Sequence, residues 1–597
     1  MTARWRHLLL IALAVAAAYW PALRAGFGYD DRFFVQENEG IRQWSSIPSY
    51  FVQPATSLAS VRWQGIWRPL RSLSFLLDYK LWGPGPAGFH LTNIALHLAN
   101  ALLFYILLLL LFKDAAAALA AALLFALHPA QTEAVAWISS RGDLLFALFA
   151  LGSLILSHLA RGRRTALTLA GSLLCFALAL LAKETAIVLP ALVMLTDWLQ
   201  AGPEFPRTLR QRRTAYILFW SLAVLYFIAR RLVLGASGQC PYWGDSFATT
   251  ALTMVRVAAD YVRLAVWPWP LHVDYVYTLS TSPDWRVAGC ALLLAALTAL
   301  AVRDARRGRR FAWAWAWFMA ALLPVSNLIP ITTLLAERFL YLPLMGVAAW
   351  AALRWSAARP RIIWSLPLAA VLCGCAAVSM LRALEWRDPL AFWRAEVRRE
   401  PRSFIAQGYL GGLHFEAGRY DSAELYYLRS AALEPRYVVA HAGLARLYAA
   451  RGDCQAAAAH VAAWLAQDPD AADAHLLQGI CAAGSGDRGR AEAAFRRAAA
   501  LDPNSQRAWY DLGLVLQDQR RFAEAVAAYQ RAAAAGDDTD ITLKAKVNAA
   551  VAYETADPMM AAAAWREALR FARQHGLPLN SQYIERRIAR LQGHREK

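Results

Sequence analysis

The sequence predicts an all-α protein in two parts: a polytopic helical membrane domain followed by a soluble α-solenoid. Three observations predict it. Of 597 residues, 58% are hydrophobic, and several apolar runs exceed about 18 residues, the length at which a helix begins to cross a hydrocarbon core. Arginines cluster in short loops between those runs, the pattern of loops that stay cytoplasmic. Beyond residue 382 the long apolar runs stop, and Pro401, Pro435, Pro469 and Pro503 recur 34 residues apart.

A chain of this length implies more than one domain, and the change in composition divides it into 1–382 and 383–597. The apolar segments lie at about 7–23, 89–112, 115–132, 144–160, 165–183, 185–199, 214–235, 286–302, 311–330, 339–355 and 361–381. The basic segments are RWRH at 4–7, Arg161 to Arg164, the 207–213 loop, the 303–310 run and Arg354 to Arg361. All fall on one side if 250–270 does not cross. That stretch carries Arg256, Asp260 and Arg263 at helical spacing and ends in WPWP, a charged and aromatic amphipathic helix suited to the interface. About eleven crossings follow, with the N-terminus cytoplasmic and the C-terminus outside. The basic and apolar start meets no small-residue exit before Asp30, so it reads as a retained span.

The net charge of +19 is accounted for by these topogenic loops, which argues against nucleic acid and leaves membrane lipid as the partner of the first half. Seven cysteines show no CxxC pair, so neither a disulfide framework nor a zinc site follows.

In the second half the segments EPRSF at 400, EPRYV at 434, DPDAA at 468 and DPNSQ at 502 mark a 34-residue unit, the period of the tetratricopeptide (TPR) repeat. Trp509, Leu512, Gly513, Ala525, Tyr529 and Ala532 fall on that pattern's packing positions, and Leu410, Gly411, Ala423 and Tyr427 do so in an earlier unit. Units are expected near 404–437, 438–471, 472–505 and 506–539, with an irregular pair at 540–572 and a half repeat at 388–400 around Trp393. Trp464 stands where a small residue is expected, which predicts a distorted unit. Such arrays form a concave groove that binds a peptide or protein. Tyr409, Gly443, Leu477 and Asp511 occupy the positions where some peptide-reading arrays carry Asn, so no Asn ladder reads backbone here.

The chemistry is sought where ionisable groups meet the ends of apolar runs. Asp30 and Asp31 lie just past the first span. In FHLTNIALHLAN, His90, Asn93, His97 and Asn100 share one helical face, either as a hydrogen-bonded seam between helices or as the lining of a polar cavity. His128-Pro129 should end a span, with Glu133, Arg141 and Asp143 beyond it. Lys183 with Glu184, and Glu337 with Arg338, mark two further span ends. By the topology above, these groups gather on the face that holds Asp30 and Asp31. A carboxylate can act there as general base towards a hydroxyl, and Lys or Arg can hold a leaving phosphate.

The first half resembles the GT-C glycosyltransferases, and most closely the transmembrane-and-TPR-repeat protein O-mannosyltransferases. The resemblance is carried by YDD at 29–31, WRPL at 67–70, FHLTNIALHLAN at 89–100, HPAQTEAVAWISSRGDLL at 128–145, AKET at 182–185 and ERFLYLP at 337–343, in that order, ahead of a TPR array. It implies a GT-C-like domain over 1–382 that moves a sugar, mannose or another hexose, from a polyprenyl-phosphate donor to Ser or Thr hydroxyls on the non-cytoplasmic side. It also implies a catalytic acidic motif at Asp30 and Asp31, either of which is the candidate base. Arg338, Lys183 and Arg141 are then the candidates for the donor phosphate. Glu133, Asp143, Glu184, Glu337, His90 and His128 surround them. No cofactor is certain; a divalent metal, if used, would sit on Asp30 or Asp31. The TPR groove would recruit the protein acceptor. Ala-, Arg- and Leu-rich usage fits a bacterium with a GC-rich genome, which puts the array in the periplasm; in a eukaryote the same topology means the endoplasmic reticulum lumen. The rival readings are a GT-C enzyme acting on a lipid or cell-surface glycan, and a non-enzymatic TPR assembly factor.

Overall fold

The computed structural model describes residues 2–53, 66–161, 165–235, 240–358, 361–536 and 538–593. Arg163 and Arg164 of the second basic loop lie outside them. All regular structure among the described residues is helical. Two compact units divide between Ser403 and Phe404.

The larger helices of the first unit run α1 Thr2–Tyr19, α2 Pro69–Trp82, α3 Pro86–Phe112, α4 Ala115–Leu127, α5 Arg141–Leu159, α6 Thr165–Ala182, α7 Leu189–Ala201 and α8 Arg213–Leu234. They continue with α9 Phe247–Val266, α10 Trp285–Ala305, α11 Arg310–Leu322, α12 Pro343–Ala357, α13 Arg361–Glu385 and α14 Pro389–Arg399. Among the described residues seven helical stretches are long and apolar enough to cross a membrane: Arg4–Arg24, Pro86–Phe112, Ile138–Leu159, Glu184–Gln211, Arg213–Leu234, Trp285–Ala305 and Ser365–Glu385. The chain is a multi-pass membrane protein.

Of the eleven expected spans, the others take different forms. The segment 115–132 is a broken pair, α4 and the helix Pro129–Ala136, turned by 56°. The cause is local: His128 is extended before Pro129, and its Nδ1 accepts the Ala130 N–H in place of a helical partner. Ala166–Ala182 and Arg310–Val325 are apolar but shorter. The expected span at 339–355 starts late. Residues Glu337–Leu340 form a tight 3-10 turn, Pro343 opens α12, and only 15 residues follow. That is short of the ~20 residues a crossing takes. The amphipathic α9 is not among the long apolar stretches of the described residues. Its Val257, Tyr261 and Leu264 pack into a cluster with Phe318, Leu322, Leu340 and Leu344. The expected break after 382 falls inside α13, which runs on to Glu385. Arg382 there bonds Glu396 of α14 at 3.0 Å, which keeps α14 in the first unit. The expected half repeat at 388–400 is thus part of the membrane unit.

The second unit stacks helix pairs: α15 Phe404–Glu416 with α16 Tyr420–Leu433, α17 Val438–Ala450 with α18 Cys454–Gln467, α19 Ala472–Gly484 with α20 Arg488–Leu501, and α21 Gln506–Asp518 with α22 Phe522–Ala535. Then come α23 Thr539–Ala556, α24 Pro558–His575 and α25 Ser581–Gly593. Glycine sets the approach of the paired helices. A Cβ at Gly513 would stand 2.5 Å from the Tyr529 ring, closer than carbon atoms can pack. The distortion expected at Trp464 does not occur. α18 is unbroken, and the buried indole fits because Ala442, Ala445 and Ala474 leave room beside it.

Candidate active site

The backbone after α1 turns sharply at Tyr29, whose φ of 53° is left-handed, and delivers two buried carboxylates in succession. Asp30 is 6% exposed and Asp31 1%. Their surroundings differ. One oxygen of Asp31 accepts the Ser139 N–H at 2.8 Å and the Ser139 hydroxyl at 2.6 Å, and the other accepts the Gly28 N–H at 3.1 Å. Burial pushes Asp31 up to about 6, against the pull of these three donors and of Arg141. Asp31 thereby ties the loop behind α1 to the turn before α5.

Asp30 faces a different group. Its charge acts on Arg71 of α2, a fully buried guanidinium stacked over the Phe34 ring at 4.1 Å. Among the described residues no carboxylate comes within 4.0 Å of Arg71, and its Nε has no hydrogen-bond partner. Burial, then repulsion by Arg68, lowers Arg71 to about 9, opposed by Asp30, Glu184 and Asp143. Neither Arg68 nor Arg71 was expected as a site residue. Only Trp67-Arg68-Pro69-Leu70, opening α2, pointed to this segment.

Arg68 and the expected cations are each committed. Arg68 holds Glu184 with two hydrogen bonds, at 3.0 and 2.6 Å. Lys183 donates to Asp143 at 2.6 Å. Burial lowers the Lys183 amine; Asp143 opposes this, while Arg68 and Arg338 add to it. Arg141 is wholly buried as a scaffold. It pairs with Asp78 at 2.5 Å and donates to the Asn93 side chain at 2.8 Å and the Phe89 carbonyl at 2.7 Å. Arg338 is held by Glu133, which accepts both its guanidinium and, at 2.8 Å, its backbone N–H. Its side chain nevertheless keeps 19% of its surface exposed and lies over the Trp137 ring at 4.9 Å. Trp137 in turn meets the Tyr29 ring edge-on at 4.9 Å, which links Arg338 to the carboxylate loop.

The polar face of α3 is a seam between helices. Asn93 donates to the carbonyls of Val135 and Trp137 at 3.3 and 3.2 Å. His97 meets the Tyr341 hydroxyl at 2.7 Å and the Ala126 carbonyl at 3.0 Å. Asn100 donates to the Leu144 carbonyl and the Tyr341 hydroxyl, each at 3.0 Å. His90, at the head of this face, approaches the Gly26 carbonyl at 3.4 Å and so supports the carboxylate loop. His128 is a turn cap, as described above. Glu337 points away from Arg338: it accepts the Tyr275 hydroxyl at 3.1 Å and lies 3.8 Å from Arg382. Burial raises it to about 8, opposed by Arg382.

Both oxygens of Asp31 already take N–H or O–H groups, and no cluster of three His, Cys, Asp or Glu suited to a metal exists among the described residues.

Comparison with known proteins adds a family context. Tetratricopeptide-repeat family models match residues 403–481 and 482–539. The chain is 27% identical to the Drosophila melanogaster protein O-mannosyl-transferase Tmtc1 over 71% of its own length and 62% of that protein's. It is 25% identical to mouse protein O-mannosyl-transferase TMTC3 over 59% of its length and 42% of the relative's. With mouse TMTC4, also named a protein O-mannosyl-transferase, identity is 25%, over 70% of this chain and 67% of that one. The chain thus spans about half of the length of the curated relatives it matches first. In sequence it is a relative of the transmembrane-and-TPR-repeat protein O-mannosyltransferases.

Proposed function

We propose that the chain is a glycosyltransferase that moves a hexose, mannose first, from a polyprenyl-phosphate donor to Ser or Thr hydroxyls of proteins on the non-cytoplasmic side. The observation that carries this reading is the turn itself: two buried carboxylates in succession, Asp30 acting on the buried Arg71, with Arg338 joined to the same turn through the Trp137 and Tyr29 rings. The names of the relatives, protein O-mannosyl-transferases, support a mannosyl donor and a protein acceptor.

Asp30, the carboxylate whose charge acts on Arg71, is the general base, and Asp31, bonded to Gly28 and Ser139, positions the loop. Asp30 takes the proton of the acceptor hydroxyl as that oxygen bonds to the anomeric carbon. The bond from that carbon to the donor phosphate breaks, and its electron pair leaves with the phosphate. One displacement of this kind inverts the anomeric configuration. Arg71 and Arg338 take up the charge that grows on the leaving phosphate, in a site where low dielectric strengthens each contact. Lys183 adds positive potential from beside Asp143, and Arg141 holds α5 against α2 and α3. The apolar helices nearby suit a polyprenyl tail. The TPR groove recruits the acceptor, in the periplasm of a bacterium or the lumen of the endoplasmic reticulum.

Glycoproteomics of cells with and without the gene tests this function. Loss of hexose from Ser or Thr of secreted proteins is the expected result. Loss of a lipid-linked or surface glycan, with protein hexosylation intact, would overturn it in favour of a different acceptor.

A further inference from the structure

A polar cavity, of about 350 Å³, opens beside the amphipathic α9 and reaches the start of α10. Its charged lining is Arg256, Asp260, Arg263, Arg286, Glu400 and Arg402. Two of the four guanidinium groups are matched: Arg263 holds Asp260, and Arg402 holds Glu400, each at 3.2 Å. The other two are not. Arg256 donates to the Thr278 carbonyl at 2.9 Å and the Ser280 hydroxyl at 3.0 Å, and Arg286 lies over the Trp285 ring at 5.3 Å. Among the described residues neither has a carboxylate within 4.0 Å. Among the described residues, two of the cavity's positive charges are thus left without an ion-pair partner.

Its place in the fold says what supplies the missing charge. α10 is one of the helices long and apolar enough to cross the membrane, and Trp285 and Arg286 are its first residues. Val266, Trp267 and Trp269, which lead into the lining residue Pro270, are exposed, as is Trp285. Exposed tryptophans at the head of a membrane helix mark the level of the lipid headgroups. We propose that this cavity binds the phosphate of an anionic phospholipid headgroup, held between Arg256 and Arg286 with the acyl chains lying along α10. Guanidinium groups recognise phosphate with charge-assisted hydrogen bonds. This site is separate from the Asp30 cluster and does not depend on the transferase reading.

The test uses the full chain purified in a neutral detergent. Lipid retention is measured by native mass spectrometry, and thermal unfolding is measured with added dioleoyl phosphatidylglycerol, dioleoyl phosphatidylcholine or inorganic phosphate. Retention of phosphatidylglycerol over phosphatidylcholine, with a raised midpoint, is expected. It should weaken at least tenfold in Arg286→Ala and further in the Arg256→Ala/Arg286→Ala double variant. Arg286→Ala keeps the fold in question out of the result, since Arg286 is exposed and touches one ring. Equal retention of both lipids, or wild-type retention by both variants, overturns the proposal. A shift with inorganic phosphate alone, and none with phosphatidylglycerol, overturns the lipid source and assigns the site to free phosphate.

Discussion

Ser139 gives both its backbone N–H and its hydroxyl to one oxygen of Asp31, at 2.8 and 2.6 Å, across 108 residues of chain. This two-point contact fixes where the Asp30–Asp31 turn sits against the start of α5. Ser139→Ala removes the hydroxyl and keeps the N–H. A hydrogen bond to a charged group contributes roughly 1.5–3 kcal/mol, so a loss of that order in stability is expected. Transfer activity should fall as well, because Asp30 is the next residue. Thermal unfolding together with an in vitro transfer assay checks both; wild-type values in both would contradict the contact's importance.

The same carboxylate predicts a pH dependence. Asp31 titrates near 6 in the folded chain against 3.8 for an ordinary aspartate, so folding favours its protonated form. Its contribution to stability is full below about pH 4 and is lost as pH rises through about 6. At 1.36 kcal/mol per pKa unit the change is about 3 kcal/mol at most. The unfolding midpoint of wild type minus that of Asp31→Asn should therefore fall from pH 4 to 6.5 and then level. A difference that stays flat across that range would contradict the buried, proton-favouring environment.

Two buried arginines should behave in opposite ways. Arg141 is paired with Asp78, and Arg141→Met leaves that buried carboxylate without its cation, holding only the Thr92 hydroxyl, which costs about 3–5 kcal/mol. Arg71 has no paired carboxylate among the described residues, so Arg71→Gln should fold with stability within about 1 kcal/mol of wild type. Its transfer rate should nevertheless drop about 100-fold, the scale of losing one preorganised donor to a developing charge. Unfolding midpoints and initial rates measured on both variants separate the scaffold role from the phosphate role.

In the repeat array, Gly513→Ala sets a methyl group 2.5 Å from the Tyr529 ring. Overpacking of this kind costs roughly 1–3 kcal/mol. Limited proteolysis of the intact protein should show earlier cleavage within 506–539, while the membrane unit keeps its protection.

The helical architecture was legible because it rests on periodicity: the apolar runs and the 34-residue spacing are properties of composition along the chain. The acidic turn at Asp30 and Asp31 was legible because carboxylates rarely follow an apolar run without reason. The pairings were not. Arg141 with Asp78 and Glu133 with Arg338 join segments 63 and 205 residues apart, and spacing says nothing about such contacts. Arg71 escaped notice because it stands in an amphipathic helix, where an arginine reads as a solvated residue. Only the fold reveals that α2 is turned so that this face is buried. Trp464 misled for a related reason: the small residues that accommodate it, Ala442, Ala445 and Ala474, come from neighbouring helices.

The central claim is that Asp30 removes the acceptor proton. The most direct measurement compares purified wild-type and Asp30→Asn protein in transfer of mannose from polyprenyl-phosphate mannose to a Ser/Thr peptide. Unfolding midpoints are taken on the same samples. A loss of at least 100-fold in rate, with the midpoint unchanged, is the predicted result. Full activity of the correctly folded Asp30→Asn protein would contradict the account.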